Sequence, residues 1–279
     1  MRTPTCILGG SGIRDQIAHG HDPDLFVEVG SLTKVITGTI LVQLEKLGTL
    51  RLDDPVEKWL PEAPKKTGIT LRQLAEHTSG LPRLPSNLTP KIRDPYASFT
   101  YESLNEVVRT LDQAGAGPTG TVSYSNLGYC ILGLALTTAA DSPFQQLVDQ
   151  HVLTPLGLEP GAMTAHPSKE RRLVRRSLLG RPRSTWSLSG PMLPAGGLWT
   201  TPRTAARVLV GLAVDRELGE PAPSWFRGES SLYHIGATRD SSVVAGARKD
   251  GQWLLLHRLH GNANKTGRLA VETFRNTTG

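Results

Sequence analysis

Residues 31–47 show helical spacing of apolar side chains, and up to Leu44 this stretch carries a single charged residue, Lys34. The apolar positions are Val35, Ile36, Ile40, Leu41, Leu44 and Leu47, and Gly48 follows as a helix stop signal. A helix with so little charge is typical of deep burial, so the chain is expected to fold around it. An unpaired buried ammonium is costly, and Lys34 therefore needs partners or a chemical role.

Strand-like segments lie near both ends of the chain, with helical segments between them. The predicted strands are residues 5–8, 14–19, 231–237, 242–249 and 252–260. Asp250-Gly251 predicts a tight hairpin between the last two. This order predicts an α+β architecture with an antiparallel sheet built from both chain ends. Residues 1–52 and 190–279 would form the sheet region and 53–189 a mainly helical region, with a cleft between them.

Three short motifs follow one another along the chain, and each is weak by itself. Ser31 and Lys34 form S-x-x-K, Tyr124 and Asn126 form Y-x-N, and residues 234–236 form H-x-G. Ser31 opens the buried helix, where free backbone N–H groups and the helix dipole can stabilise an oxyanion. Lys34 lies one turn later on the same face, and a lysine removed from water can act as a base toward a serine. The alternative is a lysine whose ammonium reaches solvent along its alkyl chain.

The motifs and the residues around them resemble the serine β-lactamase and penicillin-binding-protein superfamily, in particular its class C β-lactamase, DD-peptidase and esterase branch. The segments that carry the resemblance are 26–34, 48–56, 74–82, 124–129 and 194–201. They occur in the family's order and extend over about residues 25–240. The resemblance implies a β-lactamase-like/DD-peptidase fold.

The resemblance also implies a catalytic set of three side chains. Ser31 would be the nucleophile that becomes acylated, and Lys34 would take or relay its proton. Tyr124 would exchange a proton with the serine and with the leaving group.

A substrate-binding set of Asn126, His234, Gly236 and Ala237 is implied in the same way. Asn126 would orient the lysine and bond the acyl side of the substrate. His234 stands where many relatives have the lysine of K-T-G and others have histidine. Gly236 would let the substrate approach the strand closely, and the backbone N–H of Ala237 would complete the oxyanion hole.

Two features qualify the expected substrate. A neutral imidazole at position 234 is a poorer anion anchor than a lysine, which weakens the case for a carboxylate-bearing β-lactam. The stretch from Tyr124 to His234 is compact for the family, which predicts a more open cleft. His77 is expected to fix a loop, and Gly196 and Gly197 are expected to form a tight turn beside the cleft.

Composition excludes several other classes. The chain has 38% apolar residues, as globular proteins do, but no run of the ~18 apolar residues that a membrane span needs. The eight histidines show no zinc-binding pattern, and the two cysteines are expected to be buried free thiols, so neither metal nor other cofactor is expected. No signal peptide is evident, which predicts a cytoplasmic protein. The basic segment 169–183 lacks interleaved aromatics and predicts a solvated loop, not a nucleic-acid site.

The sequence therefore predicts an enzyme that forms an acyl-serine intermediate with a small-molecule ester or amide, without nucleic-acid or membrane partners. Water or an alcohol or amine acceptor would resolve the intermediate, which leaves hydrolase and acyltransferase both open. One alternative is a genuine β-lactamase or DD-peptidase. Another is a catalytically silent ligand-binding module on the same fold, since fold alone does not choose among these functions.

Overall fold

The computed structural model describes residues 2–88, 94–113, 117, 119–177 and 179–276. Its main sheet has six antiparallel strands in the order β2-β1-β9-β8-β7-β6. These strands are β1 (Thr5–Gly10), β2 (Gln16–Ala18), β6 (Phe226–Arg227), β7 (Ser231–Ala237), β8 (Ser242–Arg248) and β9 (Trp253–Arg258). The predicted α+β architecture, with a sheet built from both chain ends, is confirmed. The division into two regions stays a prediction.

A second, smaller sheet leads into the Ser31 turn. It consists of β3 (Val27–Glu28), β5 (Trp199–Thr200) and β4 (Met163–Thr164), with β5 in the centre. Glu28 pairs with Trp199, and the N–H of Val29 then bonds the carbonyl of Leu198 at 3.2 Å. These bonds fix the chain immediately before the first motif.

Nine α-helices lie in the part of the chain that the structure describes. They are α1 (Thr33–Lys46), α2 (Val56–Trp59), α3 (Leu71–Ala75), α4 (Tyr101–Arg109), α5 (Asn126–Ala139), α6 (Phe144–Val148), α7 (Leu193–Gly196), α8 (Pro202–Leu209) and α9 (Ala263–Arg275). Hydroxyl side chains begin several of them. Thr70, for example, forms a capping box with Gln73 at the start of α3.

Helix α1 is the central helix that its sequence predicts. Every residue from Thr33 to Leu41 is buried, and the helix packs against α5, α6 and α7. A short 3-10 turn, Gly30–Leu32, precedes it and carries Ser31. The helix α5 beside it is buried over most of its length and begins at the cap Ser125, whose Oγ accepts from the N–H of Gly128 at 2.8 Å. These two helices bring the first two motifs together.

Some element boundaries differ from the sequence prediction. The strand expected over residues 14–19 has only three residues, and the helix expected from Lys265 starts at Ala263 because Asn262 caps it. Cys6 and Cys130 are free and buried, as predicted. Among the described residues, no helix is both long enough and apolar enough to cross a bilayer.

Candidate active site

Ser31 and Lys34 form the centre of the site. Ser31 is half-buried in the 3-10 turn, and Lys34 is fully buried in the first turn of α1. The lysine Nζ lies 3.5 Å from the serine Oγ. The helical offset of three residues brings the two groups together, as the S-x-x-K spacing predicts.

The Lys34 amine is held by oxygen dipoles and aromatic faces. Its Nζ donates to Asn126 Oδ1 at 2.8 Å and to the backbone carbonyl of Ala195. The ring centroids of Tyr124 and Tyr129 lie 5.0 and 5.2 Å from Nζ. Within the described ranges no carboxylate forms an ion pair with this amine. Neutral acceptors and π faces therefore replace a counter-ion in stabilising the buried group.

Tyr124 comes from the loop before α5, and two side chains besides Lys34 lie close to its ring. The His77 ring lies 4.4 Å from it between centroids, and the guanidinium carbon of Arg83 lies 5.1 Å from its centroid. The Arg83 carbonyl accepts from the N–H of Asn126 at 2.9 Å, so the two loops are joined. The structure thus brings the predicted Ser31, Lys34, Tyr124 and Asn126 into one cluster.

His77 holds this loop in place. Its backbone has a left-handed φ of 61°, and its Nδ1 accepts from the N–H of Ser125 at 3.1 Å. Burial, followed by the charge of Lys34, lowers the pKa of His77 from 6.5 to about 3. The ring is therefore neutral at ordinary pH and acts as a hydrogen-bond acceptor.

Replacing His77 by alanine is expected to lower the free energy of unfolding by about 2 kcal/mol, because a buried N–H loses its acceptor. In His77→Asn the side-chain oxygen can accept this bond, and asparagine tolerates a positive φ. In the wild type the unfolded chain binds more protons than the native one between pH 6.5 and about 3, so stability falls as pH falls through this window. Urea unfolding at several pH values should show that the free energy of unfolding falls less steeply with falling pH for His77→Asn than for the wild type.

The control for this comparison is His19→Asn. His19 shares the left-handed backbone, with a φ of 59°, but its side chain is exposed. The His19→Asn variant should change neither the free energy of unfolding nor the way that this free energy varies with pH. An equal change in both variants would contradict the role given to His77.

Strand β7 passes against the Ser31 turn at backbone distance. A Cβ on Gly236 would lie 2.0 Å from the Val29 carbonyl oxygen, and one on Gly30 would lie 2.7 Å from the backbone nitrogen of Ala237. Gly30 also has a φ of 51°, which favours glycine. Both glycines are thus required for the end of β7, including Ala237, to lie beside Ser31.

His234 differs from its predicted role. It is fully buried, and neither ring nitrogen has a partner within the described part of the chain. The Phe226 ring from the neighbouring strand stacks on it at 5.0 Å between centroids. Burial, with the Lys34 charge second, lowers the pKa of His234 to about 3. The imidazole is therefore neutral and offers no surface to a substrate in this arrangement, contrary to the prediction that it binds one.

Residues 196 and 197 also differ from prediction, because they end a short helix where a tight turn was expected. Gly196 closes α7 and Gly197 is its C-cap. The helix directs the Ala195 carbonyl to Lys34. Sequence reasoning missed this carbonyl, and it also missed Tyr129 and Arg83. The carbonyl and Tyr129 lie in segments that carry the family resemblance, but Arg83 does not.

Among the described residues, no group of three or more histidine, cysteine or acidic side chains could hold a metal ion.

The fold is that of the β-lactamase and DD-peptidase class of proteins. It resembles a β-lactamase/D-alanine carboxypeptidase from Yersinia pestis, with a TM-score of 0.77, 20% identity and coverage of 99% of this chain and 93% of the other. A class C β-lactamase from Rhodobacter sphaeroides gives a TM-score of 0.78 at 15% identity, with 99% and 95% coverage. The chain belongs to the Beta-lactamase family, whose sequence model matches residues 9–247.

Curated relatives match over part of their length. The D-alanyl-D-alanine-carboxypeptidase/endopeptidase AmpH of Escherichia coli (strain K12) is 31% identical over 201 residues, which is 69% of this chain and 49% of AmpH. Beta-lactamase-like protein 2 of Dictyostelium discoideum is 29% identical over 195 residues, 64% of this chain and 34% of that protein. The chain thus spans a third to a half of these relatives.

Proposed function

We propose that this protein is a serine hydrolase or acyltransferase that forms an acyl-enzyme at Ser31. The observation that carries the proposal is the 3.5 Å approach of a fully buried Lys34 Nζ to Ser31 Oγ. Two acceptors, Asn126 Oδ1 and the Ala195 carbonyl, engage the same nitrogen. These contacts hold the amine nitrogen beside Ser31 Oγ, in position to take or relay the hydroxyl proton.

The proposed reaction begins when the Ser31 O–H proton passes to Lys34 and the serine oxygen attacks the carbonyl carbon of the substrate. The backbone N–H groups of Ser31 and Ala237 would stabilise the resulting oxyanion. Tyr124 would deliver its phenol proton to the leaving alcohol or amine as its bond to the carbonyl carbon breaks, and would regain a proton from Lys34. Water or an acceptor with a free hydroxyl or amine would then attack the acyl-serine, and the proton it gives up would pass through Tyr124 or Lys34 to Ser31 Oγ as the acyl group is released.

The proposed substrates are esters or amides of small molecules. The buried, neutral His234 supports this choice over a carboxylate-bearing β-lactam, because it supplies no cation at the position where a lysine would anchor an anion. A second candidate is hydrolysis of D-alanyl peptides or β-lactams. The similarity to AmpH, a D-alanyl-D-alanine-carboxypeptidase/endopeptidase, and the family match favour it.

The test is to incubate the protein with a small ester library, with and without amine acceptors, and to measure intact protein and product masses. We expect an acyl adduct on the peptide that contains Ser31. Free acid as the product identifies a hydrolase, and an amide formed with the added amine identifies an acyltransferase.

The same assay separates the alternatives. Turnover of nitrocefin or of a D-alanyl-D-alanine peptide at rates above those of the esters would favour the second candidate. Binding of esters without adduct or product, and without sensitivity to Lys34→Ala, would identify a silent binding module and refute the acyl-enzyme.

A further inference from the structure

A cavity of about 190 Å³ lies over one face of the small sheet, directly beside the Ser31 turn. Its lining includes Glu28, Arg172, Trp186, Gly196 and Trp199. Glu28 and Trp199 are paired across β3 and β5, so their side chains share the face that the cavity covers. The mechanism proposed above leaves this cavity unused.

Glu28 is the buried charged group of the cavity. Its residue is 7% exposed, and its Oε2 accepts from Thr238 Oγ1 at 2.9 Å. Its backbone carbonyl accepts from Ser241 Oγ at 2.6 Å, which fixes the residue from a second direction. Burial is the main cause that raises the pKa of Glu28 to about 7. A carboxylate held this far from water gains more than an exposed one from a cationic ligand.

The other charged group in the cavity has partners of its own. Arg172 donates from Nε at 2.8 Å and from Nη2 at 2.5 Å to the Pro167 carbonyl. Its guanidinium carbon lies 5.4 Å from the Trp199 ring centroid. The arginine is therefore held against the wall by a carbonyl and an indole ring.

Gly196 lies between the cavity and the backbone of the Ser31 turn. Gly196 lines the cavity, and a Cβ built on it would lie 3.5 Å from the Gly30 carbonyl carbon and 3.8 Å from the Ser31 nitrogen. Glu28 itself lies three residues before Ser31. The cavity therefore borders the backbone of the turn that carries Ser31.

We propose that this cavity is a subsite for the acyl part of the substrate and that it binds a protonated primary amine through the Glu28 carboxylate. The inference rests on the proposed acyl-enzyme at Ser31 and adds the chemical class of the acyl group. The Trp186 and Trp199 indoles form part of the cavity lining. Glu28 determines which acyl group is bound, and it takes no part in the bonds that form and break during acyl transfer.

The test compares two esters of equal length, 4-nitrophenyl 6-aminohexanoate and 4-nitrophenyl heptanoate, in which an ammonium replaces a methyl group. For the wild type at pH 8 we expect kcat/KM to favour the amino ester by about tenfold or more. Glu28→Gln should remove this preference and leave kcat/KM for heptanoate within about threefold. A preference for the amino ester that survives in Glu28→Gln overturns the proposal. An equal loss of kcat/KM for both esters also overturns it, because it would mean that Glu28 has a purely structural role.

Asp240→Asn is the matched control. Asp240 is also a buried carboxylate and acts on Glu28 through its charge, but its Oδ1 pairs with Arg175 and Arg183 at 3.4 and 3.1 Å. It is absent from the cavity lining. This variant should keep the preference for the amino ester. Loss of the preference in Asp240→Asn as well would assign it to the general negative potential of the region and overturn the role of Glu28.

A binding measurement separates failure of this subsite from failure of the acyl-enzyme. Calorimetric titration with n-hexylamine and with n-hexanol requires no turnover. We expect the amine to bind wild type at least tenfold more tightly than Glu28→Gln, and hexanol to bind both alike. Equal amine affinities overturn the subsite even if the esters are hydrolysed. Selective amine binding without any adduct at Ser31 supports the subsite and contradicts the proposed function.

The wild type provides a further test that needs no variant to fold. The charged and titratable groups near Glu28 are Arg172, Asp240 and His166, the last in the cavity lining. Hexylamine affinity should rise by about tenfold from pH 6 to pH 8, as a carboxyl of pKa about 7 ionises, while hexanol affinity stays constant. Amine affinity that does not change with pH would overturn the proposal.

Discussion

Ser31→Ala is expected to lower kcat/KM on any ester that the wild type turns over by about four orders of magnitude or more. The variant loses the hydroxyl oxygen that lies 3.5 Å from Lys34 Nζ, and the amine cannot itself form the acyl-serine. A fluorophosphonate probe should add one adduct mass to the wild type and none to the variant. Intact-protein mass spectrometry and a nitrophenyl ester assay measure the two effects.

Ser123→Ala is the control for this variant. Ser123 lies in the same loop as Tyr124, and its side chain is exposed. It should keep both labelling and turnover. Labelling of Ser31→Ala at the wild-type rate would show that another nucleophile does the chemistry, and the proposed mechanism would then be wrong.

Lys34→Met is expected to lower kcat/KM by about 10³-fold, the range that loss of a general base produces. Methionine fills much of the space of the lysine but offers neither a lone pair nor a donor. Two buried acceptors, Asn126 Oδ1 and the Ala195 carbonyl, then lose their donor, which costs about 1–3 kcal/mol each. Removal of a buried amine that has no ion-pair partner among the described residues offsets part of this loss.

Lys34→Ala should be as inactive as Lys34→Met but less stable, because it also leaves a cavity in the core beside α5 and α7. Urea unfolding compares the two variants. Lys46→Met is the control, since Lys46 lies in the last turn of the same helix and is exposed. Turnover by Lys34→Met within tenfold of wild type would remove Lys34 from the chemistry.

Local sequence signals predicted the central parts of the site. The apolar spacing of residues 31–44, with Lys34 as their single charge, predicted a buried helix. The three-residue offset from Ser31 to Lys34 predicted their contact. Asp250-Gly251 predicted the β8–β9 hairpin, where Gly251 has a φ of 84°. Each of these signals depends on neighbours within one or two turns of chain, which periodicity and turn chemistry describe.

The features that the sequence did not predict depend on contacts between distant segments. The Ala195 carbonyl reaches Lys34 because α7 forms where a turn was expected, and a backbone carbonyl has no residue type to mark it. His234 is buried because Phe226 from the neighbouring strand covers its ring. Strand alternation could place His234 on one face of β7, but it could not show what lies over that face.

The partners of Lys34 lie far apart along the chain. Asn126 is 92 residues from it and the Ala195 carbonyl 161 residues away. Contacts of such long sequence separation close large loops and are among the costly steps of a folding reaction. Covalent labelling of Ser31 during refolding would therefore report the arrival of these distant segments at the serine. Helical circular dichroism would respond earlier, because helices form from local contacts.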